Sequence, residues 1–323
     1  MLYGGKRFRM IDILMASYNG ENYIAEQIES IINQTYKYWH LYIKDDCSND
    51  NTKQTVRKYI DKYPDKITLV ETDKRSGSAK NNFFSMINLP KSPYIMFCDQ
   101  DDVWLPEKIE VTHRRMLQME RKYGKEMPIL IHTDMSVVDE SLNVLHNSKF
   151  EYDGIRSKIK YQNFKNTLFE NTVSGCNMEI NRALFKFVDE SDAKDAYMHD
   201  WWIALCAKAF GKISYVDMPT MLYRQHDNNT VGVVPEVTPQ SVFKRLFYKS
   251  YRVAAHKEIE KCNKMIISFY EKFSLKLSIE NRNALARLTD SFNHCKILKW
   301  SVIFRYGFST LNLRSYVFYL IFC

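Results

Sequence analysis

Residues 96–106 read MFCDQDDVWLP, so Asp99, Asp101 and Asp102 crowd together directly after the apolar run Tyr94 to Cys98. Neighbouring carboxylates repel and raise one another's pKa unless a cation or hydrogen-bond donors hold them. The cluster is therefore a solvated turn or a site. As a site, it offers the oxygen ligands that Mg²⁺ or Mn²⁺ takes, with substrate phosphates completing the shell. A cation held there would neutralise a nucleoside diphosphate as it leaves. A second pair, Asp45-Asp46, closes another apolar segment and precedes the capping-rich run Cys47 to Thr52. A carboxylate here can accept the N3 proton of a pyrimidine, with the turn MASYNG beside it to offer backbone groups. Asp200, in YMHDWWIALCAKAF, stands at the head of an apolar helix, where by position alone it reads as an N-cap. His226, in YRQHDNNTVG, can join a divalent-metal shell, and it or Arg224 can neutralise a diphosphate.

These residues need a scaffold that brings them together. IDILMASYNG predicts a strand and turn, and ENYIAEQIESIINQT a helix with Ile24, Ile28, Ile31 and Ile32 on one face. WHLYIKDD, KITLVETD, PYIMFCDQDD and PILIHTDMSVVD predict further strands, separated by the helical stretches NTKQTVRKYIDKYP, SAKNNFFSMINL and PEKIEVTHRRMLQMERKY. Strands alternating with helices at this spacing predict an α/β protein with a doubly wound, mixed and mainly parallel sheet. In such sheets ligands bind beyond the carboxyl ends of the strands. Ala16 to Asn19, Asp45-Asp46 and Asp99 to Asp102 all fall at such ends.

The segments LMASYNGENYIAEQIESIINQTY, IKDDCSNDNT, GSAKNNF and FCDQDDVWLPEKI, in this order, resemble the family 2 glycosyltransferases, which have the GT-A fold and use nucleotide sugars. The resemblance spans about residues 10 to 232. It implies that Asp46 contacts the nucleobase, with Ala16, Ser17, Tyr18 and Asn19 beside it, and that Asp99, Gln100 and Asp101 meet the donor. Asp101 and Asp99, with His226, would hold Mg²⁺ or Mn²⁺. Lys80 stands where relatives often carry arginine in a G-x-x-x-A-R-N segment, so a cation is kept but a bidentate grip is not. Asp200 matches the acidic motif that supplies the general base of an inverting transfer. SGCNM resembles a loop under the acceptor, which places Gly175, Cys176 and Asn177 there, with Gly175 permitting close backbone approach. Trp201 and Trp202 are either a stacking face for a sugar or core residues. CDQDDVW, HDWW and YRQH together are similar to the bacterial rhamnosyltransferase branch, which implies dTDP-L-rhamnose as donor and a glycan or lipid-linked acceptor in surface polysaccharide synthesis. Related branches use UDP-hexoses.

Composition fits an enzyme of this size. The chain has 323 residues and a net charge of +8. From residue 240 onward 15 Lys and Arg face 5 Asp and Glu, which leaves the rest of the chain slightly acidic. The excess implies an anionic partner for that segment, membrane surface or nucleic acid, and no nucleic-acid-binding motif accompanies it. Two prolines and no periodicity in VVPEVTP predict a boundary, with a catalytic domain over 1–232 (donor part about 10–105, acceptor part about 106–232) and a basic helical extension over 233–323. The extension ends in the aromatic-rich WSVIFRYGFSTLNLRSYVFYLIFC, in which Arg305 and Arg314 interrupt any run of the ~20 apolar residues a membrane span requires. It is either an interfacial segment or a closing layer on the core. Seven scattered cysteines with no Cys-x-x-Cys predict reduced thiols and a cytoplasmic location, at the inner membrane face if the tail binds lipid. Oligomerisation stays open. A non-catalytic nucleotide-binding scaffold and a phosphotransferase with Asp99 as nucleophile are the competing readings.

Overall fold

The computed structural model describes residues 2–3, 6–7, 9–159, 162–227, 249–311, 317 and 319–321. The predicted boundary over 233–239 lies outside the described residues. The order is β1 (Ile11–Ser17), α1 (Ile24–Ile32), β2 (Trp39–Asp45), α2 (Thr52–Lys62), β3 (Ile67–Val70), α3 (Ala79–Ser85), β4 (Tyr94–Asp99), β5 (Val103–Trp104), α4 (Lys108–Tyr123), β6 (Ile129–Val138), β7 (Val144–His146), β8 (Met178–Asn181), α5 (His199–Phe210), β9 (Lys212–Arg224), α6 (Lys249–Phe273), α7 (Ile279–Ser291) and α8 (Lys296–Arg305).

One mixed, nine-stranded sheet runs in the order β3-β2-β1-β4-β8-β6-β9-β5, with β7 on β6. The first four strands are parallel. β8 then enters antiparallel to both β4 and β6, and β9 lies parallel to β6. Period-two alternation on the buried strands divides the core in two. Ile13, Met15, Met96 and Cys98 face the layer of α1, α2 and α4. Leu14, Ala16, Ile95 and Phe97 face α3, α5 and the C-terminal helices. Asp12, buried in the middle of this apolar sheet, is satisfied by the Lys91 and Ser92 amides and the Ser92 hydroxyl at 2.6, 2.8 and 2.7 Å.

The basic extension closes the second layer. Ala255, Ile259, Cys262, Ile266, Phe269 and Phe273 recur at steps of three or four along α6 and enter the same core as α5. Leu285, Leu288, Ile303 and Phe308 follow them. Among the described residues no helix is long and apolar enough to cross a membrane.

This packing corrects one expectation. Trp202 is fully buried, with its ring 5.5 Å from Phe269 and 6.2 Å from Phe273, so it packs the core and presents no face to an acceptor. Trp202→Ala is expected to cost about 3–5 kcal/mol of stability by guanidinium unfolding, as for other large aromatic deletions.

Candidate active site

The β1–α1 turn is fastened from below and from the side. Gln100 reads the Tyr18 backbone twice, accepting from its N–H at 2.9 Å and donating to its carbonyl at 3.0 Å. A Cβ on Gly20 would lie 2.2 Å from Gln100 Oε1, so a larger residue there would push Gln100 off the Tyr18 backbone. Asn19 takes a left-handed backbone (φ 48°). Its N–H donates to Ser48 Oγ at 2.8 Å, and its side-chain oxygen accepts from Asn49 N–H at 3.0 Å. Asp45 and Asp46 are both buried, and Asp45 accepts from the Ser48 amide at 2.8 Å, which braces the loop after β2. Asp46 accepts from the Ser76 amide and hydroxyl and from the Gly77 amide. Arg75 lies 3.9 Å from Asp46 and 4.0 Å above the Tyr18 ring. Tyr18, Asp46 and Arg75 thus form one corner, of which Arg75 was not singled out from the sequence, although it sits in the glycine-containing stretch KRSGS.

The second corner is acidic. Asp99, Asp102 and Cys176 bring ligand atoms within 4.8 Å of one another. Burial first, then Asp101 and Asp200, pushes Asp99 up to about 7. Burial, then Asp101 and Asp99, raises Asp102 well above the carboxylate range. Asp102 Oδ2 has no hydrogen-bond partner among the described residues, while its Oδ1 accepts from Arg224 N–H at 3.1 Å. Asp101 meets His226 Nε2 at 3.0 Å, and that imidazole stacks on Tyr23 at 4.8 Å. So much carboxylate, with an unsatisfied buried oxygen, suits a hard divalent cation.

Arg224 is not available to a diphosphate, contrary to the expectation. It is buried, its Nε donates to the Asp101 carbonyl at 2.8 Å, and its guanidinium binds Glu26 and the Glu140 carbonyl. It clamps the acidic loop. Lys80 is likewise committed, donating to the Ala196 carbonyl at 2.8 Å, and burial lowers its pKa.

The third corner is the start of α5. The cap residue is Met198, so Asp200 is not the N-cap. Its Oδ2 accepts from Gly175 N–H at 3.0 Å and its Oδ1 from Trp201 N–H at 2.6 Å. Burial outweighs these bonds and lifts Asp200 to about 7. His199 beside it is buried, stacks on Phe83 at 4.1 Å and is pushed by burial down to about 3, hence neutral. A Cβ on Gly175 would lie 2.4 Å from His199 Nε2, so only glycine brings this turn against α5. The Asp200 charge contributes to raising Asp99, which joins the second corner to the third.

Two members of the SGCNM loop face inward. Asn177 is buried, accepting from Lys108 Nζ at 2.6 Å and donating to the Thr133 carbonyl at 2.6 Å. Cys176 is also buried, against Asp99 and Asp102. Neither presents a surface to an acceptor. Trp201 is half-buried, with its indole N–H given to the Thr167 carbonyl. Lys108 went unnoticed in the sequence. It is buried, and burial pushes it down to about 8 against the pull of Cys176, Cys98 and Asp102. The available signal was its place on the buried stripe of α4 with Thr112 and Met116.

With this geometry in hand, the relatives can be read. Residues 12–124 match the model of "Glycosyl transferase family 2". The dTDP-rhamnosyl transferase RfbG of Shigella flexneri is 31% identical over 244 residues, covering 72% of this chain and 78% of its own. This chain belongs to glycosyl transferase family 2. Another relative of this glycosyltransferase is the Escherichia coli UDP-Glc:alpha-D-GlcNAc-diphosphoundecaprenol beta-1,3-glucosyltransferase WfgD, 34% identical over 109 residues, 34% of this chain and 42% of that one. The fold is GT-A. S. aureus TarS 1-349 in complex with UDP-GlcNAc superposes with a TM-score of 0.52 at 16% identity, over 96% of this chain and 89% of that one.

The Asp200 carboxyl gives a pH test of this corner. Its folded pKa of about 7 lies above the ordinary value of 3.8, so between the two the native state holds a proton that the unfolded chain releases. The group therefore lowers stability as pH rises through that window. Asp200→Asn is expected to be more stable than the parent near pH 8 and to lose that advantage near pH 4, read by urea unfolding in EDTA.

Proposed function

We propose that this glycosyltransferase is an inverting, divalent-cation-dependent enzyme that moves L-rhamnose from dTDP-L-rhamnose onto a glycan or lipid-linked acceptor during surface polysaccharide synthesis. The observation that carries the chemistry is Asp200: a carboxylate at the head of α5, held by the Gly175 amide and within electrostatic reach of Asp99. The donor rests on the likeness to a dTDP-rhamnosyl transferase.

In this reading Tyr18 and Asp46 receive the nucleobase, with Ala16, Ser17 and Asn19 shaping the turn. Gln100 keeps that turn in place from the acidic loop. Asp99 and Asp101 would hold Mg²⁺ or Mn²⁺, with the Asp102 oxygen that is unpaired among the described residues beside Asp99, and His226 bonded to Asp101. Such a cation screens the charge that gathers on the departing diphosphate. The acceptor hydroxyl approaches the face of the sugar opposite the diphosphate, its oxygen bonds to the anomeric carbon as the bond to the diphosphate breaks, and its proton passes to Asp200. A carboxylate with a pKa near 7 is well matched to that transfer at neutral pH. Gly175 is the part of the SGCNM loop that borders the acceptor side. We assign residues 1–232 to catalysis and 233–323 to an extension that keeps the enzyme in the cytoplasm at the inner membrane face. The likeness to a UDP-Glc glucosyltransferase over 109 residues supports a UDP-hexose donor as the second reading.

Incubation with dTDP-L-rhamnose, Mn²⁺ and a lipid-linked acceptor is expected to release dTDP, and UDP-hexoses to give little UDP. The opposite preference would establish the second reading, and no turnover with any nucleotide sugar would end both. Asp200→Asn should lose turnover by about 10²-fold or more while dTDP binding, measured by calorimetry, persists. Asp101→Asn should instead abolish the gain in dTDP affinity that Mn²⁺ confers.

A further inference from the structure

The helix α8 is amphipathic in an unusual sense. Ile303 on its inner side is buried in the second core layer, and Phe308 just beyond it is buried too. The following loop is fastened to the body by Asn166 Nδ2 donating to Ser309 Oγ at 2.8 Å, and by Leu311 N–H donating to Glu170 at 2.6 Å. The helix is therefore held in one orientation. Its outer side is apolar: Ile297 is 76% exposed, Leu298 42% and Trp300 38%, and Phe304, 61% exposed, continues the i, i+3, i+7 line from Ile297 and Trp300. Trp300 gives its indole N–H to the Leu320 carbonyl at 2.9 Å, so the ring is anchored at its polar end while part of its apolar surface faces out.

The charge of this helix selects what covers it. α8 contains no acidic residue: Arg305, two turns on from Leu298, is exposed on the outer side, Lys299 is half-buried at the flank toward Ile303, and Lys296 gives its ammonium to the Ile321 carbonyl at 2.5 Å. A second copy docking through the same face would set these cations against one another, which disfavours a symmetric contact. Apolar side chains interleaved with Lys and Arg, and an indole at their margin, match the boundary between headgroups and acyl chains of an anionic bilayer. At ten residues the helix is too short to cross one.

We propose that α8 is a membrane-docking element: Ile297, Leu298 and Trp300 enter the headgroup region of an anionic phospholipid leaflet while Arg305, with Lys299 at its flank, pairs with its phosphates. The inference rests on the membrane-proximal location proposed above and names its contact. It is independent of the donor sugar.

The test uses the full chain and sedimentation with vesicles of phosphatidylcholine, with and without phosphatidylglycerol. Partition onto the anionic vesicles is expected, weakening as salt rises. The double variant Ile297→Glu/Leu298→Glu, at exposed positions, should lower that partition roughly tenfold or more with an unchanged unfolding temperature. Lys299→Glu/Arg305→Glu should abolish the difference between the two vesicle types. Equal partition of parent and variants, or no partition of the parent, would overturn the proposal. So would a parent dimer in light scattering that Ile297→Glu/Leu298→Glu dissolves, which would make the face a contact between copies. Nucleotide binding measured on the same samples separates the two readings: binding without partition rejects only the docking helix, and partition without binding rejects only the donor assignment.

Discussion

Repulsion within the Asp99, Asp101 and Asp102 loop is the constraint to which the centre of this protein answers, because every neighbouring element contributes a means of holding those carboxylates together. Arg224, at the end of β9, grips the loop by its backbone and meets Glu26 on α1. Gln100 turns the one neutral side chain of the loop into a staple for the β1–α1 turn. Lys108 sits buried beneath, its ammonium held by Asn177 and Thr220 at 2.6 and 3.3 Å. Buried charges of this sort contribute little net stability. Their value here is placement: strands from both halves of the sheet must close on one loop before the carboxylates have any partners.

That dependence explains why the sheet changes direction. Parallel pairing of β1, β2 and β4 brings three strand ends to one edge. The proposed transfer to a second molecule would need a base on the far side. The antiparallel insertion of β8 between β4 and β6 brings the Gly175–Asn177 turn against the acidic loop and, through the Gly175 amide, orients Asp200. A close approach without a Cβ at Gly175 and a neutral His199 are the local conditions for that junction.

Much of this was legible in the sequence where the signal was local. The strands that became β1 to β4 and β6, and the helices between them, show their own periodicity, and the carboxylates at their ends stand out because polar residues interrupt apolar runs. What escaped was tertiary. Lys108 reads as a solvated residue near a helix start, and its line with Thr112 and Met116 is a faint signal until α4 is packed on the sheet. Trp201 and Trp202 look alike as a pair, but helical geometry sends Trp202 into the aromatic core with Phe269 and Phe273 and leaves Trp201 at its border. Arg224 looks like a free cation in YRQH until β9 is placed beside the acidic loop. In each case the residue type was visible and its direction was not.

The same reasoning bears on the C-terminal extension, for which sequence offered a packed layer and an interfacial segment as alternatives. They are compatible, because a helix has two sides. The apolar residues of α6 fall almost wholly on one stripe and enter the core, so α6 needs no further partner to bury its hydrophobic surface. α8 divides its apolar residues between an inner Ile303 and an outer group headed by Ile297, and Arg305 stands beside that outer group with no acidic residue in the helix. A layer evolved only to close the core would gain nothing from leaving isoleucine and tryptophan exposed beside lysine, since exposed apolar surface contributes no burial and promotes association. The packed side fixes where the outer side points, and that rigidity is what allows so short a helix to act as a surface.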